Sequence, residues 1–144
     1  MNVLVNLLKR RRFRLYGDAE EAVPKAKAHG FKTAIVTTIA HFKFEEAIKP
    51  IRECFDFVMT GYEAGCDKSN PKMYRRLLEI LRIRPYEVVM IGDDLQLDVE
   101  LPRRLGMKAI LLDRNRRETG QSVDASVYDL NEAMEIVINK LWRK

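Results

Sequence analysis

At 144 residues, 47% of them hydrophobic, the chain has the size and apolar content of one domain with a continuous core, and two domains are not expected. No run of about 18 apolar residues is present, nor an apolar stretch followed by a small-residue cleavage site at the amino end, so the sequence is read as cytoplasmic, with no membrane span or secretory leader. The net charge of +5 suits acidic partners, but 33% charged residues rich in Glu and Lys fit better the densely charged surface of a thermophile protein.

In chain order, the first apolar run, "NVLVNLL" at 2–8, supports two readings. Leu4, Leu7, Leu8 and Leu15 fall at helical spacing, while the uninterrupted apolar character of Val3, Leu4 and Val5 suits a strand buried on both faces. The run "KRRRFR" at 9–14 has no aromatic platform or DNA-binding motif beside it and is read as a solvated face, so nucleic acid is not an expected partner. Asp18-Ala-Glu-Glu21 resembles a capping box opening a helix that Gly30 stops, and Pro24 inside it predicts a kink. "TAIVTT" (33–38) is a β-branched strand, and a helix over about 41–49 ends near Pro50 and leads to the strand "FDFVMT" (55–60).

Cys54 and Cys66 lack CxxC spacing and a neighbouring His pair, so free thiols are expected. Asn70 and Pro71 form an N-cap and first turn for a helix over 71–82, with Met73, Leu77, Leu78 and Leu81 on one face. "EVVMIG" (87–92) is a strand that runs into Asp93, Asp94 and Asp98. A short helix over about 97–105 stops at Gly106, "KAILLD" (108–113) is a further strand, residues 114–122 read as a weakly ordered loop, and 130–142 as a terminal helix. His29 and His41 lie on helical stretches without ligand partners nearby and are assigned surface or capping roles. Continuous apolar strands alternating with helices predict an α/β fold, a parallel sheet covered on both faces. In such sheets ligands bind beyond the carboxyl ends of the strands, where Thr37, Thr38, Thr60, Asp93 and Asp94 all fall.

The order Thr37, then Lys68 in "CDKSNPKMY", then "GDDLQLD" followed by "LGMKAILLDR" resembles the haloacid dehalogenase (HAD) superfamily of phosphohydrolases and dehalogenases, over about residues 15–142. The resemblance implies a Rossmann-like three-layer α/β/α core, incomplete and without a cap domain. It also implies a phosphate-bearing substrate attacked by an Asp of a DxD motif after the first strand, with Mg²⁺ bridging that Asp and a later acid. By motif, Asp93 would bind the metal, Thr37 would donate to a substrate oxygen, Lys68 would neutralise charge, and Asp98 would hold the loop or a metal-bound water. The same residue types suit phosphoryl transfer on chemical grounds, since that reaction is mainly positioning and charge stabilisation. Thr37 also suits a strand-end turn, Lys68 a solvated surface, Asp98 the cap of the following helix, and Asp94 a turn acid rather than a ligand.

The sequence departs from the family where the nucleophile belongs. No DxD stands near the amino end, the first acid being Asp18; "KSNP" replaces the KPDP of many relatives; and Pro102 lies inside the helix after Asp98. Either residues 2–15 are the tail of a lost cap helix, the account slightly preferred, or "NVLVNLL" replaces the family's first strand and places Asn6 near the nucleophile position and Leu8 at the acid/base position. Residues 2–8 are accordingly predicted to enter the slot between the strands at 33–38 and 87–92, from the same chain or swapped from a second copy, or, failing this, those two strands are expected to close up and pair directly. The expected function is that of a HAD-like hydrolase with half an active site, weak Mg²⁺ binding, and a homodimer or complementing polypeptide as partner. The alternatives are a non-catalytic phosphate- or partner-binding domain and, more remotely, a nucleic-acid-binding module.

Overall fold

A computed structural model describes residues 2–5, 17–37, 41–61, 65–66, 69–114 and 125–141. Six parallel strands form one sheet: β1 (Asn2–Val5), β2 (Lys32–Thr37), β3 (Phe57–Thr60), β4 (Val88–Gly92), β5 (Lys108–Leu112) and β6 (Ala125–Val127). Their spatial order is β3-β2-β1-β4-β5-β6, so the chain works outward from β1 to one edge and then crosses to the other. β1 fills the central slot from within the same chain. Val3 is level with Thr33 on one side and Val89 on the other, and Val5 with Ile35 and Ile91. The helical reading of the amino-terminal run therefore does not hold at residues 2–5. Residues 6–16, with the basic run and the positions of Asn6 and Leu8, lie outside the described residues.

Helices cover both faces, giving the three-layer α/β/α arrangement. On one face α1 (Ala19–Ala28) and α5 (Leu130–Ile136) pack through Ala22, Val23, Ala26, Leu130, Ala133 and Met134 onto Ile35, Val89, Ile91 and Ile110. On the other, α3 (Pro71–Leu81) and α4 (Leu101–Arg104) cover Val36, Met90, Ala109 and Leu111 with Met73, Tyr74, Leu77 and Leu78. Alternate residues of β4 thus go to opposite cores, and all five are buried, which accounts for its unbroken apolar sequence. Between β2 and β3 run α2 (His41–Ile48) and a 3₁₀ turn (Lys49–Cys54). α1 continues across Pro24 as one helix.

Other local readings need revision. Asp18 stands at the cap position of α1 but caps nothing. Its carboxylate instead receives both terminal nitrogens of Arg114 at 3.1 and 3.0 Å and the Leu130 N–H at 2.7 Å, joining the start of α1 to the end of β5 and the start of α5. β6 was not expected. Its Ala-Ser-Val sequence is too short to show a period, and its strand character comes from pairing with Ile110–Leu112. At the amino end of the sheet, Asp56 accepts from Lys27 at 2.5 Å and from the Thr33 N–H at 2.8 Å. Burial works to raise the Asp56 pKa, but the hydrogen bonds from Lys27 and Thr33 and the charges of Lys27 and Lys32 outweigh it and hold the group below its ordinary 3.8. Cys54 and Cys66 are free thiols, and His29 Nδ1 lies 2.9 Å from the Lys25 carbonyl, a helix-end contact.

Removing β1 would strand backbone groups on β2 and β4 together, each worth about 1–3 kcal/mol when buried without a partner. Several such losses match the whole stability of a typical domain, roughly 5–15 kcal/mol. A chain lacking residues 1–5 is expected to aggregate or to lose its cooperative melting transition by calorimetry. A soluble monomer with unchanged melting temperature would contradict the central role of β1.

Candidate active site

β1, β2 and β4 end almost level: Val5, the last residue of β1, is beside Ile35 and Ile91, two residues before Thr37 and one before Gly92. Thr37 pairs with Thr60 across β2 and β3, and both are buried. Thr37 and Asp93 flank the end of β1 from its two neighbouring strands, two strand spacings or about 10 Å apart.

The loop after β4 is built around a packing constraint. A Cβ on Gly92 would lie 2.3 Å from Asp98 Oδ2 and 2.5 Å from Asp98 Cβ, so only glycine lets the Asp98 side chain lie against the strand end. Asp98 is fully buried, and its carboxylate accepts the Asp94 N–H at 3.1 Å, while the Asp98 N–H donates to the Asp94 carbonyl at 2.8 Å. Asp94, not Asp98, caps the turn: its Oδ1 accepts from Gln96 N at 3.0 Å and from Leu97 N at 2.9 Å. The turn over Leu95–Glu100 has the wider i→i+5 form, with the Leu101 N–H bonded to the Gln96 carbonyl, before α4 begins. Pro102, which has no N–H to give, sits buried directly after it. Pro102 thus stands in the first turn of a new helix, where its missing N–H costs no helical hydrogen bond, and not inside one helix running from 97.

Tyr74 supports this loop from α3. Its side chain is fully buried and its hydroxyl donates to the Leu97 carbonyl at 2.7 Å. Burial, then the charges of Asp98 and Asp94, push its pKa far above the ordinary phenol value, so it remains a proton donor. A sequence signal for it exists: position 74 belongs to the stripe of Met73, Leu77, Leu78 and Leu81, and a tyrosine there must find a partner for its hydroxyl. Asp113 and Arg114, at the end of β5, give no comparable signal, since the bond from Arg114 to Asp18 spans 96 residues.

Of the expected site residues, Thr37, Asp93 and Asp98 come together at the carboxyl ends of β2 and β4. Thr37 and Asp98 are buried, and Asp93 is exposed in the turn between Gly92 and Asp94. Lys68 lies outside the described residues. The flanks of its segment are fixed by the Cys66 N–H on the Gly61 carbonyl and by the Asn70 cap of α3. Among the described residues no three acidic, His or Cys side chains gather as a metal cluster.

A family model for haloacid dehalogenase-like hydrolases matches residues 3–106, from β1 to the turn after α4. The chain belongs to this family. The phosphoserine phosphatase of Thermus thermophilus is 31% identical over 128 residues, covering 86% of this chain and 51% of the relative. The crystal structure of a HAD phosphatase from Thermococcus onnurineus superposes with a TM-score of 0.78 at 28% identity, over 85% of this chain and 58% of that one. The chain therefore spans between half and three fifths of these HAD relatives. A solved protein from Listeria monocytogenes serotype 4b shares the fold almost end to end, with a TM-score of 0.76 over 96% of this chain and 97% of that one at 22% identity.

Substituting Gly92→Ala forces the new methyl group into the Asp98 carboxylate and should destabilise this HAD domain by about 3 kcal/mol or more in urea unfolding. Combining it with Asp98→Gly, which removes the carboxylate, Cγ and Cβ that the new methyl group would meet, should recover part of that loss. Equal and additive costs would show that the two residues do not constrain each other.

Proposed function

We propose that the chain is the phosphohydrolase-type core of a HAD-like hydrolase, which receives a phosphate-bearing small molecule at the carboxyl ends of β1, β2 and β4 and has little turnover by itself. The observation that carries this reading is the seating of β1. It lies between β2 and β4 and runs directly into Asn6, Leu7 and Leu8. None of the three has a carboxylate, and an amide or an alkyl side chain does not form the acyl phosphate that the family's nucleophilic Asp forms.

The remaining residues supply the binding half of the reaction. The Thr37 hydroxyl, at the end of β2, donates to a phosphoryl oxygen, and the Lys68 ammonium balances its charge. Asp98 acts through its neighbours, holding the Asp94 N–H and thereby the loop that presents Asp93. The donor chemistry fits Mg²⁺ only in part: a hard cation taking oxygen ligands accepts one or two protein carboxylates together with substrate phosphate, and Asp93 offers one. When bound there, Mg²⁺ would neutralise charge on the phosphoryl oxygens. With no carboxylate at residues 6–8, the attacking acid would come from a complementing polypeptide or from another part of a second copy. A non-catalytic phosphate-binding role is the second reading, favoured by the same lack of a carboxylate after β1.

With the nucleophile gone, turnover is expected to fall by about 10⁴–10⁶ relative to an intact site. In an aryl phosphate assay with Mg²⁺ only trace activity should appear. A rate of about 1 s⁻¹ or above, abolished by Asp93→Asn, would show that another group attacks.

Calorimetric titration should detect inorganic phosphate binding that Thr37→Val and Lys68→Ala each weaken by roughly tenfold, the loss of about one charge-assisted hydrogen bond. Mg²⁺ without phosphate should bind more weakly than about 1 µM, because a single carboxylate holds it. Submicromolar Mg²⁺ affinity would refute the half-site.

A further inference from the structure

The charge of the chain is segregated. Residues 72–87 carry five basic side chains against Glu79 and Glu87, and residues 101–108 carry three against none. Those two segments together exceed the +5 of the whole chain, so the rest is net acidic even with the run at 9–14 included. A surface charged only for solubility intersperses its signs. Here the excess gathers on one layer.

The fold makes these segments neighbours. α3 and α4 pack on the same sheet face, and their carboxyl ends meet at the amino ends of β4 and β5, where Val89 pairs with Lys108. A Cβ on Gly106 would come within 3.2 Å of Pro85, so the turn after α4 touches the 3₁₀ turn Pro85–Glu87 that follows α3. Lys72, Arg75, Arg76, Arg82, Arg84 and Arg104 are all exposed on this layer. Amid them Tyr86 is 60% exposed and Ile80 45%, two of the large apolar side chains the described surface leaves open. Cations near helix carboxyl ends also balance the helix dipole, which accounts for Arg103 and Arg104. That role does not place Lys72, Arg75 and Arg76 in the first half of α3, nor does it expose a tyrosine.

We propose that the α3–α4 layer binds single-stranded nucleic acid, the arginines tracking the phosphates and Tyr86 stacking on a base. Phosphate contacts supply affinity without sequence preference, and an exposed aromatic ring offers a face to any unpaired base. A single strand is favoured over a duplex because a base inside a duplex presents no free face to Tyr86. The surface runs along the covering helices from the first turn of α3, next to the Lys68 segment, to the amino ends of β4 and β5, where Arg82, Arg84, Tyr86 and Arg104 stand away from the site at the strands' carboxyl ends, and the inference is independent of the function proposed for that site. It also rests on residues other than the basic run at 9–14.

The test is fluorescence anisotropy of labelled single-stranded RNA and DNA oligonucleotides with the full chain at several salt concentrations. Binding is expected in the range of about 1–100 µM, weakening with salt. Arg82→Ala, Arg84→Ala and Arg104→Ala combined should lower the affinity and reduce the salt slope by about 0.7 for each phosphate that is no longer neutralised, with a cooperative melting transition retained. Tyr86→Ala should cost roughly tenfold in affinity and leave the salt slope unchanged. The proposal is overturned by any of four results: no anisotropy change at about 100 µM protein, full binding by the triple arginine variant, affinity indifferent to Tyr86→Ala, or association with phosphatidylserine vesicles in place of either oligonucleotide.

Discussion

Everything at the candidate active site depends on β1 being present in the middle of the sheet. A parallel sheet is built from evenly spaced backbone ladders, and each interior strand must satisfy donors and acceptors on two sides. β2 and β4 take one partner each from β3 and β5, and β1 supplies the other to both through four register pairs on either side. Because β1, β2 and β4 then end together, Thr37 on β2 and the acids after β4 are brought to the two sides of one short edge. Without that strand the two sides would have no common frame.

The same edge carries a loop whose shape is set without any substrate. The loop from Gly92 to Glu100 is fixed by contacts that involve no substrate: Asp98 against Gly92, Asp94 over two backbone amides, and the Tyr74 hydroxyl on Leu97. Burying the Asp98 carboxylate is unfavourable unless hydrogen bonds compensate it, and the glycine that admits it is suited to no other side chain. Substituting one member leaves another buried polar group unsatisfied or clashing. The loop can therefore hold its form by stability alone, whatever became of the residues that follow β1.

Much of the fold was legible because it follows from short-range rules. Buried parallel strands read as unbroken apolar runs, so β2, β3, β4 and β5 were recognisable, and Asn70-Pro71 marked α3 within a residue. The amino-terminal run was ambiguous for a physical reason: a leucine-rich stretch satisfies a helical stripe and a doubly buried strand equally, and only the demand of β2 and β4 for partners decides. Asp18 was misread as a cap because its sequence neighbourhood is that of a helix start, while its partners Arg114 and Leu130 are more than ninety residues away. At the site the pattern of Gly92, Asp93 and Asp98 carried the family resemblance, but left open whether Asp98 holds the loop or caps the following helix. Two acids four residues apart compete for that role, and the packing at Gly92 selects Asp94.

The segregation of charge between the two helical layers has a different origin from these packing constraints. Nothing in the core requires Arg75, Arg76 or Arg82 to be basic, since each is exposed and the apolar stripe of α3 is complete without them. The core fixes only where they stand. α3 must present Met73, Tyr74, Leu77 and Leu78 inward, so positions 72, 75, 76 and 79 face solvent together. The helix that places Tyr74 under the loop after β4 thus presents its other side to solvent. Residue choice there is decided by solubility and by partners, not by folding. That three of those four positions are basic is therefore not explained by folding.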